Sequence, residues 1–432
     1  MSPSMFTPDT ASSLGGPSWL RARRVAAAEA FAAHALPSKE EEVWRYSRIG
    51  DLDLERYAPV TSSPTGASST GAPSTDRPVP AAVVAAPAAR LVLVDGFLVE
   101  SVIDETLVAA GVYVGRLVDA PGADLMIGSV MTEPTDAFAL MNDAFAREPL
   151  AIVVPRGVTV SGPVVIEHHV ARAGAAVFPR LVVLAHDDAD VRVLEVFRSG
   201  DHAALVVPIV ELIASPAARV GYLGVQQLGA SAWQLGSVVA RAEAASTVHA
   251  SAAGLGGDYT RVRTDCRLVG RGATGTLTSL YFGSGEQMLD FRTFQDHAAP
   301  DTSSTLLFKG VVDDKSASVY TGLIRVRKNA RGTNALQTNR NIKLSEHAWA
   351  ESVPNLEIEN NDVRCKHESA VSPIDADQRF YLESRGVPPQ VAERLVVAGF
   401  FDEVLERLPV PEARAALAGS IAAKLDAHEG VR

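Results

Sequence analysis

Apolar positions along this chain change their period twice. Near the N-terminus Trp19, Leu20, Val25, Ala28 and Phe31 recur at helical spacing, so residues 17–57 read as helical. Pro37 breaks that pattern, and Glu40–Glu42 then precede Trp44-Arg45-Tyr46. The tract from Ala58 to Pro87 is rich in Ser, Thr, Pro, Gly and Ala, a composition with too little apolar surface to offset chain entropy. It reads as a flexible linker. From Leu91 the character is that of strands: Leu91-Val92-Leu93-Val94 runs into a turn at Asp95-Gly96. After one helical interruption marked by Ala137, Leu140, Met141, Ala144 and Phe145, short β-branched runs follow one another, separated by Gly, Ala, Asp and Ser. Strand starts at Val191, Val220, Val248 and Gly275 lie roughly 28 residues apart, and those near Val319 and Ala335 about half as far. Strands at a drifting period, with no helices between them, predict a β-solenoid whose stacked coils share one core. The same strand spacing also fits a β-sandwich.

The C-terminal pattern is helical again. Asp375 with Gln378 three residues on resembles a capping box, the first helix runs to Arg385, and Gly386 fits the position just past its end. Pro388 or Pro389 opens a second helix with the stripe Val391, Leu395, Phe401, Val404, Leu405 and Leu408. Pro409 and Pro411 separate a third, with Leu417, Ile421 and Leu425. So small a bundle leaves its stripe in need of an outside partner, and its deletion is expected to leave the β core folded. The chain therefore divides into an N-terminal helical segment (1–57), a linker (58–88), a β core (89–372) and a helical tail (373–432).

Composition narrows the function. The 432 residues are 47% hydrophobic and 21% charged, a soluble globular balance. A net charge of −11 repels phosphate backbones and argues against nucleic acid as a partner. No apolar run reaches the ~20 residues of a membrane-spanning helix. Arg21, Arg23 and Arg24 lead into an Ala-rich stretch holding Glu29 and His34, unlike a secretory leader, so the cytoplasm is expected. Phosphate-binding loops, nucleophile elbows and zinc-binding helix motifs are absent, and Gly254-Leu255-Gly256-Gly257 reads as a turn between coils.

The candidate chemistry lies at Cys365-Lys366-His367-Glu368. Thiolate and imidazole suit iron and zinc, and Cys-x-His on a strand puts both on one face, with Lys366 on the other. Two ligands make half a site. The sequence holds only Cys266 and Cys365, so one chain cannot supply the four thiolates most iron–sulfur clusters take. A small buried thiol and a hydrogen-bonded structural imidazole account for the same pair without a metal. Cys266 reads as solenoid core, and His168-His169, being adjacent on a strand, should face opposite sides.

Several motifs together resemble one family. Pro354-Asn355-Leu356-Glu357-Ile358, Cys365-Lys366-His367 and Phe380-Tyr381-Leu382-Glu383-Ser384-Arg385-Gly386 look like the tail of the SufB/SufD family of iron–sulfur cluster assembly. Phe308-Lys309-Gly310, Gly322-Leu323-Ile324 and Gln337-Thr338-Asn339-Arg340-Asn341 resemble its late coils, and Trp44-Arg45-Tyr46 resembles a segment of its SufD branch. The resemblance implies a mainly β protein, a right-handed parallel β-helix flanked by N- and C-terminal helical segments. It implies a scaffold without catalytic residues, pairing with SufB through the β-helix and binding the SufC ATPase through its tail. A transient iron–sulfur cluster would form at the partner interface, with His367, Cys365 and Glu368 as its metal contacts, and reduced FAD is associated with the complex. Glu368, and Ser369-Ala370-Val371-Ser372-Pro373 after it, lean towards SufB, so a SufB-like or self-pairing subunit is the near alternative. A β-helix polysaccharide lyase or hydrolase is the alternative from another class. It would want acidic residues clustered along one groove, and here they are scattered.

Overall fold

A computed structural model describes residues 5–63, 84 and 86–429. Its centre is a parallel β-solenoid of about eight turns, two sheets facing each other across a shared core. Pairing between the solenoid strands is parallel, which rules out the sandwich. One row of partners in the second sheet runs Val191, Val220, Val248, Gly275, Ser304, Ala335 and Cys365. The first four are the strand starts that set the period. Val319 instead belongs to the first sheet, opposite Asp290 and Glu351, so the half-spacing near it reflects two interleaved sheets, not a shrinking coil.

Local chemistry explains why the coils repeat. The turns before Val191, Val220, Val248, Gly275, Ser304 and Ala335 each carry one residue with positive φ: Asp188, Ala217, Ala245, Gly272, Asp301 and Gly332. Left-handed backbone is tolerated best by Gly and by short polar residues, and no β-branched residue occupies this row. Between turns the strands alternate. Val191, Val193, Val220, Tyr222, Val248 and Ala250 point inward to the main core, while Leu194, Val196, Leu223, Val225, Leu280 and Phe282 are buried on the outer face. Sheets covered on both faces read as nearly continuous apolar runs, as these do.

The two ends of the solenoid differ. At the N-terminal end the strands Phe97–Ile103 and Tyr113–Arg116 pair antiparallel with Ala89–Val94 and Leu150–Val154 and close the stack. The helix Ser18–Ala33 packs against the helix Ala137–Phe145, in one cluster with Trp233, Leu235 and Tyr259 of the first sheet. Expected helicity over 17–57 stops at Ala33, four residues short of Pro37, and Glu42–Trp44 forms only a 3-10 turn. Arg24 is buried, its guanidinium donating to the carbonyls of Gly15 (2.6 Å), Ala146 (2.6 Å) and Arg147 (3.0 Å). Trp44 is buried under the Arg261 guanidinium at 3.9 Å, and Tyr46 reaches Trp349 at the far end of the first sheet. The margins of the expected linker pack on the core. Ala58–Pro59 pairs with Ala175–Ala176, and Val84 is buried. The stretch 64–83 and residue 85 lie outside the described residues.

The tail departs most from expectation. Helices Ala376–Ser384, Pro389–Leu405 and Arg414–Glu429 are present, with Asp375 accepting from the Gln378 N–H and Gly386 left-handed after the first. The apolar stripe, however, splits. Phe401, Val404, Leu405 and Leu408 pack with Leu417, Ile421 and Leu425 onto Leu280, Phe282, Leu307 and Val311 of the solenoid's outer face. Val391 and Leu395 remain exposed, as do Phe380 and Tyr381. Four of the six stripe residues are thus covered by the chain itself, because the outer face of the second sheet also carries apolar residues.

Candidate functional site at the open end of the solenoid

Among the described residues no antiparallel strand caps the C-terminal end of the stack. Its last strands, Trp349–Ile358 and Val363–Pro373, are the edges of the first and second sheets, each hydrogen-bonded to a neighbour on one side only. Both are long, and Trp349, Leu356, Ile358 and Val371 are exposed along them. Long exposed edges are templates for a further strand, and proteins that do not use them blunt or cover them.

Cys365 and His367 lie on the second of these edges. The register Ala335–Cys365, Gln337–His367, Asn339–Ser369 is unbroken, so the strand has no bulge and both side chains take its inner face, about 6.6 Å apart along the backbone. Cys365 is half-buried against Ile324, Val326, Ala330 and Ala335, and burial raises its thiol above the usual range. His367 is exposed, and its side chain makes no hydrogen bond among the described residues. Glu368 takes the outer face. It is ion-paired with Lys366, lies 3.8 Å from Arg340, and is held below the usual carboxylate range by the Lys366 ammonium. The structure therefore brings Cys365 and His367 together and turns Glu368 away from them. Among the described residues no group of three or more His, Cys, Asp or Glu side chains is arranged to hold a metal ion.

Other residues singled out earlier have structural places. Cys266 is buried in the solenoid core, where desolvation and nearby Asp265 push its thiol up to about 12, a value that keeps it protonated and inert. His168 points inward, stacked on Phe197 and 2.8 Å from Glu195, which also accepts from Tyr222. His169 faces the other side, 3.7 Å from Glu167. The turn expected at Gly254-Leu255-Gly256-Gly257 is present, with Gly257 left-handed in the loop between Thr247–Gly254 and Tyr259–Leu268.

Sequence reasoning did not foresee the polar lining beneath the open end. Gln337, Asn339 and Asn341 are all buried inside the penultimate coil, where polar amides normally avoid burial. Their alternation with Thr338 and Arg340 was the available signal. Next to the outer face of the same strands, Arg340, Ala370, Asp375, Tyr381, Leu395 and Phe400 line an open groove of about 1030 Å³.

The fold and this end define a class: a parallel β-solenoid with antiparallel strands closing one end and two edge strands at the other. Comparison with known proteins gives the family. The family described as SUF system FeS cluster assembly, SufBD core domain, matches residues 168–400. An iron-sulfur cluster assembly SufBD family protein of Mycobacterium tuberculosis is 34% identical over 312 residues, 68% of this chain and 76% of that protein. The chloroplastic protein ABCI7 of Arabidopsis thaliana is 26% identical over 408 residues, 90% of this chain and 83% of that protein. A SufBD family protein of Staphylococcus epidermidis is 26% identical over 284 residues, 65% of this chain and 61% of that protein. The chain belongs to the SufBD family of iron–sulfur cluster assembly proteins. Among its described residues no helix is long and apolar enough to cross a membrane.

Proposed function

We propose that this chain is a SufD-like scaffold subunit that pairs through the open end of its solenoid and shelters a nascent iron–sulfur cluster there. The observation that carries this reading is the coincidence of two unpaired edge strands with Cys365 and His367 on the inner face of one of them. A partner that adds a strand to each edge would bring further ligands to that face and complete a site one chain leaves half built. Residues 89–372 act as the pairing unit and 373–432 as the docking unit. The partner is SufB, with a second copy of this chain as the alternative, and the exposed face of the tail with Phe380, Tyr381, Val391 and Leu395 receives the SufC ATPase. Reduced flavin belongs to the assembled complex in this reading and is assigned to no pocket of this chain. Two free thiols suit a reducing compartment, and we place the protein in the cytoplasm.

Purification of the chain from its own host should bring down an ATPase and a second SufBD subunit. Charging the edges with Ile358→Lys and Val371→Lys should weaken pairing at least tenfold, about 1.4 kcal/mol, with an unchanged melting curve. Both side chains are already exposed, so the solenoid itself loses little. Wild-type pairing in the doubly charged variant would rule out the open end as the interface. Within the complex, His367→Ala should leave Tm within a degree or two, because the ring is exposed and makes no hydrogen bond among the described residues. It should nevertheless abolish visible cluster absorbance after anaerobic reconstitution. Full absorbance would remove His367 from the site, and Cys365→Ala is read the same way.

A further inference from the structure

Arg24 is 1% exposed, and among the described residues its guanidinium is met by backbone carbonyls alone. Its Nε is buried and has no hydrogen-bond partner there. Burying a cation is costly unless an opposite charge accompanies it. The neighbouring charge has the same sign: burial and the Arg147 guanidinium lower the Arg24 pKa to about 10, which leaves it charged at neutral pH. Arg147, half-buried, donates to the Leu14 carbonyl and lies 5.0 Å from the centre of the Phe97 ring. Among the described residues neither guanidinium has a carboxylate within ion-pair distance.

Both line one cavity of about 160 Å³, together with Arg116 and Glu148. Arg116 is exposed and pairs with Asp119 at 2.8 Å, so the cavity reaches the surface. Glu148 is the acid of the lining, and its Oε2 accepts the Leu98 N–H at 2.7 Å. Three guanidiniums against Glu148 and Asp119 leave one positive charge over, in a chain whose net charge is −11. The backbone adds donors. Gly15 and Gly16 also line the cavity, at φ 72° and 98°. A right-handed Leu14 followed by a left-handed Gly15 gathers successive N–H groups into a concavity that suits anions. The helix Ser18–Ala33 starts just beyond, and its first turn has neither a side-chain cap nor an acidic residue, so negative charge is favoured there.

We propose that this cavity is a phosphate-binding site: a phosphoryl group, free or carried on a small molecule, is held by Arg24 and Arg147 and by N–H groups of the Gly15-Gly16 turn. Guanidinium forks and backbone N–H groups are the donors that phosphate recognition uses. The surplus positive charge calls for an anion, and the unpartnered Nε of Arg24 is a donor kept from water. The site lies at the N-terminal side of the fold and is independent of the pairing proposed above.

The test is calorimetric titration of the full-length chain with inorganic phosphate, at constant ionic strength in chloride. Saturable binding is expected. Arg24 also ties the N-terminal segment to the core, so Arg147→Gln is the variant that isolates the anion role, and it should weaken binding about tenfold. Arg116→Gln, at the exposed mouth, should weaken it about threefold and serves as a second variant with little bearing on the fold. Thermal melts give an independent readout. Phosphate stabilises proteins in general by exclusion from their surfaces, and that part should persist in Arg147→Gln, while the wild type shows a further rise in Tm that saturates. Glycerol phosphate should compete with inorganic phosphate. Tighter binding of the ester upholds the site as one for a phosphoryl group on a larger molecule, and tighter binding of the free ion upholds it as one for phosphate itself. No saturable heat with either, or unchanged affinity in both folded variants, overturns the site. Acetate binding as tightly as phosphate overturns the ligand class.

Discussion

A chain cut before Pro388 should not yield a soluble, cooperatively folding solenoid. The tail helices cover Leu280, Phe282, Leu307 and Val311 on the outer face of the second sheet, with Phe401 and Phe282 stacked 6.5 Å apart. Polar contacts tie the same surfaces. Lys309 Nζ donates to the Phe400 carbonyl at 2.7 Å and pairs with Glu403 at 2.7 Å, and Arg192 pairs with Glu412 at 2.9 Å. Removing the helices would expose a wide apolar sheet face, which marks aggregation when nothing replaces the cover. The point variant Phe401→Ala isolates one contribution. Its side chain is fully buried, and truncating such a Phe costs about 3–5 kcal/mol. Urea melts of Phe401→Ala and the soluble yield of the truncated chain are the measurements. A truncated chain that stays soluble and melts like the parent would show that the tail is an appendage. This reverses the expectation that the tail can be deleted without harm, although Phe380, Tyr381, Val391 and Leu395 stay exposed on it.

Stability should fall with acid through His297. The ring is completely buried between Thr302 Oγ1 and Ser304 Oγ, each at 2.8 Å, and burial lowers its pKa from 6.5 to about 4 despite nearby Asp296. The folded state thus refuses a proton that the unfolded chain accepts. The contribution is fully present above pH 6.5 and is lost progressively as pH falls, the loss reaching roughly 3 kcal/mol near pH 4. Urea midpoints at pH 7.5, 6 and 5 should drop more steeply for wild type than for His297→Gln, which cannot be charged. Parallel slopes for the two proteins would exclude His297 as the source.

How much of this was legible beforehand follows from the physics of each element. The coil period could be read because six successive turns repeat one left-handed position, which Asp188, Ala217, Ala245 and Asp301 fill with residues without β-branching. The placement of Val319 went astray because two sheets share one sequence and a strand does not declare which it joins. Opposite faces for His367 and Glu368 followed from strand parity alone, given a strand without a bulge. The cover over the tail stripe was hidden, since apolar residues on both faces of a strand say only that both are buried, not by what. Arg24 and Gln337 were missed for a shared reason. Residue type predicts exposure for both, and only the fold shows the carbonyls around one and the coil that buries the other.

In a stack of this kind each coil is held mainly by the coils on either side of it, so stability is close to a sum over neighbouring pairs. The first coil has a sealed end for a neighbour; the last, bearing Cys365 and His367, has one neighbour fewer. It should be the first to open locally, with amide exchange fastest there and slowest in the middle coils. A partner docked on both edges would turn this terminal unit into an interior one. Assembly would then appear as protection of Trp349–Ile358 and Val363–Pro373 before any change elsewhere, and the binding energy would be, in part, the folding energy of the end of this chain.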